Sequence, residues 1–253
     1  MDILSAIHKF CEENGIRYSM ACGTLLGAAR HKGYIPWDDD IDIYVPREDY
    51  DRMIKIFPQL YKGKYEIISL ERNNKWDRPY AKALNAKTEF WESGTTTPLG
   101  VNIDIFPIDD VPENEDEWLS YNKKRKFMQN IFALRFVRLS SKRSLAKNCV
   151  IVLNRAMTCF FSKRKIAKII DRYSKRYNGK GYRICFENVQ GIFQKKPFPK
   201  ELFNSIVSMP FEDRHFNGFS EFDKYLTAGF GDWRKLPPKE KQVSHHVFKA
   251  YWK

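Results

Sequence analysis

The period of the apolar positions switches repeatedly over the first 110 residues, which is the mark of short helices and strands in alternation. Ile3, Leu4, Ile7, Phe10 and Cys11 recur at helical spacing, and Asn14-Gly15 is a helix stop. Ile16, Tyr18, Met20 and Cys22 then alternate with Arg17, Ser19 and Ala21, predicting a strand with one buried face that Gly23-Thr24 ends. Leu25 to Arg30 reads as a short helix, and Asp40 to Val45 alternates again as a strand. Pro46 suits the first turn of a helix whose stripe is Tyr50, Met53, Ile54 and Phe57, with Pro58 closing it. Further strands are expected at 65–70, 80–84, 88–92 and 101–106. The fold class that follows is α/β (α+β), with a mixed sheet at its centre.

From about Glu113 to Asn178 the pattern becomes helical. Its clearest stripe is Ile166, Ile169, Ile170, Tyr173 and Tyr177, with lysines and arginines between. Beyond Gly181 short elements rich in Pro, Gly and aromatics are expected to pack back on the core. The organisation is therefore a core over 1–112, a basic helical region over 113–180 and a returning segment over 181–253.

Charge sharpens this division. The chain of 253 residues carries a formal net charge of +13, but 18 of its basic residues lie between Tyr121 and Lys180, where Asp171 is the only acid. The rest holds 26 basic against 30 acidic residues, so the isoelectric point belongs to one segment. Three partners answer such a segment: the surface of an anionic membrane, nucleic acid, or solvent alone, and the apolar faces beside the cations favour the membrane. The longest aliphatic run, Val150 to Leu153, is far short of the roughly 20 residues that cross a bilayer. Five scattered cysteines without a C-x-x-C pair, and an N-terminus without a signal-type apolar region, point to a cytoplasmic protein with peripheral membrane contact. None of His8, His31, His215, His245 and His246 has metal-ligand spacing, and all are expected to be structural or solvent-facing.

Candidate chemistry concentrates in the acids. Asp40 and Asp42 in PWDDDIDIYV would project from one face of a strand, roughly 6 to 7 Å apart, while Ile41 and Ile43 enter the core. At that spacing two carboxylates repel by about 2 to 3 kcal/mol at an effective dielectric near 20, and a bound cation relieves the conflict. Oxygen ligands without His or Cys nearby select Mg²⁺ or Mn²⁺ over zinc. Asp104, in the alternating strand of VNIDIFPID, can join them if its strand is the neighbour. Gly23-Thr24 at a helix start offers backbone N–H groups to a phosphate. Taken alone, the run DDDID also fits a solvated turn or a calcium loop. An EF-hand started at Asp38 would need Gly and Glu where Ile43 and Asp49 stand.

CGTLLGAARHKGYIPWDDDIDIYVPREDYDRM, starting at Cys22, resembles the signature of the LicD-type phosphocholine transferases, which are similar to fukutin-related ribitol-phosphate transferases and share the nucleotidyltransferase superfold. NIDIFPIDD, from Asn102, resembles the third-aspartate strand of that family, and YLTAGFGDWRKLPPKEK, from Tyr225, its C-terminal motif. The resemblance implies that Asp40, Asp42 and Asp104 bind metal and support catalysis with help from Asp38, and that Gly23 and Thr24 contact nucleotide phosphates.

It further implies a CDP-alcohol donor, CDP-choline first, and a glycan acceptor on a lipid carrier. Arg30 is then a candidate for the leaving-group charge, with a solvated helix-end arginine as the alternative. Choline calls for an aromatic surface, for which Trp37 stands first and Tyr34 and Trp91 behind it. Competing readings are a nucleotidyltransferase acting on RNA or a small molecule, and an inactive glycan-binding relative.

Overall fold

In the computed structural model all residues are described except 93–98, 138, 142, 192 and 245–247. His245, His246, Arg138 and Lys142 of the sequence reading thus lie outside the described residues. Helix α1 (Asp2–Asn14) buries the five predicted apolar residues and stops at Gly15, whose φ of 57° is the left-handed conformation that glycine takes without strain. Strand β1 is shorter than predicted, Ser19–Met20, because its antiparallel partner β2 (Asp42–Pro46) ends in a proline. In that register Pro46 falls opposite Arg17 and has no N–H to continue the ladder. Between them α2 (Cys22–His31) begins three residues earlier than expected, so Gly23 and Thr24 form its first turn.

Helix α3 (Arg47–Leu60) follows β2 directly and runs two residues beyond Pro58. The carbonyl of Ile54, which Pro58 cannot reach as a donor, accepts instead from Arg72 Nη1 at 3.4 Å. Strands β3 (Tyr65–Ile68), β4 (Ala81–Asn85), β5 (Thr88–Glu92) and β6 (Asn102–Asp110) come next, the last extending four residues past the predicted end. The main sheet has the order β1-β2-β6-β4-β3, in which β2 and β6 are parallel and the other neighbours antiparallel.

The basic region forms α4 (Glu115–Leu134), α5 (Leu145–Met157) and α6 (Lys163–Ser174). Most of the apolar stripe of α6 is spent inside the protein: Ile166, Ala167 and Ile170 are buried in one cluster with Ile68, Trp76, Leu84 and Phe132, while Ile169 stays exposed. Several of the cations are equally committed. Arg125 is 1% exposed, and Arg164 donates to the carbonyls of Leu70, Asn73 and Trp76 at 2.7–2.9 Å. Loop carbonyls and side-chain amides thus absorb charge that the sequence alone offers to an outside partner.

The returning segment contributes β7 (Ile184–Phe186), which pairs with the end of β6, then β8 (Phe198–Pro199), the hairpin β9 (Ile206–Phe211) and β10 (Arg214–Phe219), α7 (Phe222–Phe230) and β11 (Phe248–Trp252), which pairs with β5. The principal core draws on both ends of the chain, from Leu4, Ile7 and Phe10 through Ile43 and Ile105 to Phe216, Phe219 and Leu226. Among the described residues no helix is long and apolar enough to cross a membrane.

Candidate active site

Asp42 and Asp104 are register partners on the parallel strands β2 and β6, so two aspartates 62 positions apart in sequence stand side by side on one sheet face. The backbone of Asp42 is fixed from both directions. Its N–H donates to Thr24 Oγ1 at 2.8 Å, and its carbonyl accepts from Ala21 N–H at 3.0 Å. Asp40 lies just outside β2 rather than within it, although the ladder already reaches Ile41, whose carbonyl accepts from Asp104 N–H at 2.9 Å. Burial drives the Asp42 carboxyl well above its usual range, the charges of Asp40 and Asp104 add to the shift, and Lys82 opposes it. Asp38 is pushed up to about 6 by burial and then by Asp40.

Lys82, on β4 opposite Asp104, forms an ion pair with it and donates to Asn102 Oδ1 at 2.9 Å. This lysine is absent from the sequence reading. Its signal there was a lone charge between the apolar Ala81 and Ala83 of a strand. With Asp104 turned to Lys82, no three His, Cys, Asp or Glu side chains among the described residues are gathered closely enough to hold an ion.

A cleft of about 780 Å³ opens over Asp38, Asp40 and Asp42. Gly23, Arg30 and Trp37 also line it, whereas Thr24 and Asp104 do not. Thr24 is buried and its hydroxyl braces Asp42, so its contribution is to position a carboxylate. At Gly23 the absent Cβ is the point: a methyl group there would run into the Asp38 carboxylate, which sits against the first turn of α2. Arg30 is tied to the returning segment, donating from Nη1 to the carbonyl of Trp233 at 2.7 Å. Trp37 faces His31 edge-on at 6.1 Å. The other two aromatic candidates stand elsewhere. Tyr34 packs edge-on against Phe211 at 4.9 Å, and Trp91 belongs to β5, which pairs with β11 away from the main sheet.

The far wall comes from Glu187, Gln190, Phe193 and Lys195, which sequence reasoning did not single out, and from Phe230, Asp232 and Lys235 of the C-terminal motif, which it did not place at the site. Glu187 is buried and raised by desolvation, against which the N–H groups of Gln190 and Gly191 hold its two oxygens. Behind that loop the buried Arg125 donates to Asn122 and Gln129, and Gln129 Nε2 donates to the carbonyl of Asn188 at 2.6 Å. A helix of the basic region thereby sets the wall. Within the C-terminal motif the buried Trp233 donates from Nε1 to Asp223 at 3.0 Å, while Asp232 faces the cleft.

A family model described as LicD/FKTN/FKRP, nucleotidyltransferase domain, matches residues 15–144, which include every acid of the cleft floor. The chain is 33% identical to the lipopolysaccharide cholinephosphotransferase LicD of Haemophilus influenzae over 258 aligned positions, covering 99% of this chain and 94% of that protein. The chain belongs to the LicD family. A second relative, the human ribitol 5-phosphate transferase FKRP, is 29% identical over 123 residues, 47% of this chain and 22% of its own length. The fold and the family expected from the three sequence blocks are thus shown, and the LicD match extends through the returning segment that builds the far wall. Named members of the family are phosphotransferases, and this chain is an enzyme of that kind.

Proposed function

We propose that this LicD-family phosphotransferase moves phosphocholine, or a closely similar alcohol phosphate, from a CDP-alcohol to a hydroxyl of a lipid-linked glycan and releases CMP. The observation that carries the reading is the placement of Asp42 beside Asp104 on parallel strands, under a cleft that also receives Asp38 and Asp40. Burial, and after it the neighbouring carboxylates, raise Asp38 and Asp42, which is the electrostatic condition a divalent cation relieves. Their all-oxygen donor set suits Mg²⁺ or Mn²⁺. Mg²⁺ asks for only one or two protein carboxylates beside substrate phosphates, so Asp40 and Asp42 would hold it while Lys82 keeps Asp104 in register. When bound, the ion supplies charge neutralisation to the phosphates.

The protein's own groups do the rest. The first turn of α2 has no side-chain cap, and the positive end of the helix would favour an anion beside Gly23. Lys195 and Lys235 approach from the far wall and would meet the diphosphate. Trp37, Tyr44, Phe106, Phe193 and Phe230 give the cleft an aromatic lining on which a quaternary ammonium can rest. The acceptor oxygen forms a bond to the distal phosphorus, the bond between the two phosphates breaks, and CMP departs; the hydroxyl proton passes to the carboxylate cluster.

The direct test is to incubate purified protein with CDP-choline, MgCl₂ and a lipid-linked glycan acceptor and to follow CMP. Release that depends on both acceptor and divalent ion is expected, and no release with any CDP-alcohol would refute the reading. Lys195→Ala and Lys235→Ala should each raise KM for the CDP-alcohol about tenfold with little change in kcat, as expected for one charge-assisted hydrogen bond to the donor.

Divalent binding also has a signature independent of turnover. Asp38 and Asp42 are raised in the folded protein, so below the unfolded value both states are protonated and these groups cost nothing. As pH climbs through about 6 the ion-free protein loses the stability that Asp38 contributes, and Asp42 is displaced in the same direction, mainly by burial. Adding 10 mM MgCl₂ should therefore lift the melting temperature by about 3 °C at pH 7.5 and by less at pH 5, where protons compete with the ion for the raised Asp42 carboxylate. Scanning fluorimetry reads both values, and an equal shift at the two pH values would count against these ligands.

A further inference from the structure

Helix α5 is built inside out. At 100° per residue, Leu145, Ala146, Cys149, Val150, Val152, Leu153, Ala156 and Met157 fall within an arc of roughly 160°, and every one of them is exposed. Leu145 is 84% exposed, Met157 79%, and Phe160 in the turn that follows 90%. The polar residues lie toward the protein. Asn148 Nδ2 donates to the carbonyl of Ser140 at 2.9 Å, Arg155 Nη2 to that of Val137 at 2.8 Å, and Asn154 is buried with Ile151. A helix whose apolar residues face outward and whose polar residues are anchored inward needs an apolar phase on its outer side.

The charge around it identifies that phase. From Arg135 to Lys168 the chain holds ten lysines and arginines and no acid. At the start of α5 a hollow of about 330 Å³ is lined by Ser140, Arg143, Ser144 and Lys147, two hydroxyls and two cations next to the protruding Leu145. A second copy of this surface would bring like charges together, and nucleic acid has no use for a row of aliphatic side chains. An anionic bilayer satisfies both halves, taking the aliphatic row into its acyl boundary and offering phosphates to the cations beside it.

We propose that α5 and the turn through Phe160 dock this protein on an anionic membrane, the helix lying in the interface with headgroup phosphates seated in the Ser140–Lys147 hollow. The sequence pattern offers the basic helices as a group for such contact, and the structure narrows the role to α5, since Ile166 and Ile170 of the α6 stripe are buried. The docking surface does not depend on the transferase reading, and its test involves no turnover.

Sedimentation with vesicles of phosphatidylcholine containing 30 mol% phosphatidylglycerol should carry the protein down, whereas pure phosphatidylcholine should not. The triple variant Leu153→Gln/Met157→Gln/Phe160→Gln adds no charge and touches no buried residue. It should lose at least about tenfold in the vesicle partition coefficient at an unchanged melting temperature, because three apolar insertions are removed. Arg143→Ala/Lys147→Ala should weaken binding to the anionic vesicles and flatten its dependence on salt. The proposal is overturned if the wild type stays in the supernatant with anionic vesicles, or if the triple variant sediments as well as the wild type. It is equally overturned if light scattering finds a dimer that the triple variant dissociates while vesicles bind neither form.

Discussion

Asp42→Ala is expected to lower CMP release at least about a thousandfold, because it deletes the carboxylate on which the charges of Asp40 and Asp104 bear most directly. The fold should survive the change. Asp42 is held through its main chain by Thr24 and Ala21, and its side chain is an electrostatic burden in the ion-free protein. The melting temperature without divalent ions should accordingly rise by about 2 °C while activity disappears, a pairing of opposite signs that a misfolded variant does not give. Asp40→Ala should act in the same direction on turnover. Undiminished CMP release from both variants would dismantle the carboxylate site.

At the other end of the same strand pair, Asp109→Ala should destabilise the protein by about 3 to 5 kcal/mol and lower its melting temperature by about 10 °C. Asp109 is fully buried and receives Arg47 Nε and Nη2 at 2.7 and 2.8 Å, with Asn178 Nδ2 donating to it at 2.7 Å. Burial alone would lower the Arg47 guanidinium. The charges of Asp109 and Asp171 overcome that and lift it above its ordinary value. Removing Asp109 strands a buried cation with the partly exposed Asp171 as its remaining partner. The paired change Arg47→Met/Asp109→Leu removes the charge from both sides and should recover most of the loss. Urea unfolding of the three proteins measures this, and a double variant no better than Asp109→Ala would show that the pair itself carries the stability.

Much of this architecture was readable because it rests on local period. The stripes of α1 and α3 and the alternation around Ile43 and Ile105 name their buried faces directly. Strand ends were less legible, since they depend on the partner: β1 stops where Pro46 comes opposite, and β6 runs on to Asp110 because β7 supplies it with hydrogen bonds. The cleft floor was legible as a motif, while its wall was not. Glu187 and Lys195 enter through a loop shaped by Arg125 and Gln129, and nothing in the spacing of residues 187–195 announces a helix 60 residues earlier as its scaffold. Lys82 escaped for a similar reason, because a single lysine in a strand acquires meaning only from the aspartate across from it. The cations of α4 and α6 looked alike in sequence, and only burial in one case and hydrogen bonding in the other set Arg125 and Arg164 apart from those left to solvent.

Floor and wall of the cleft are written far apart, the acids between Asp38 and Asp104 and the opposing face between Glu187 and Pro237. During synthesis, which runs from the N-terminus, the aspartates leave the ribosome long before anything exists to enclose a substrate above them. A polypeptide caught between those two stages would hold the acids of the floor with nothing opposite them to select what they meet.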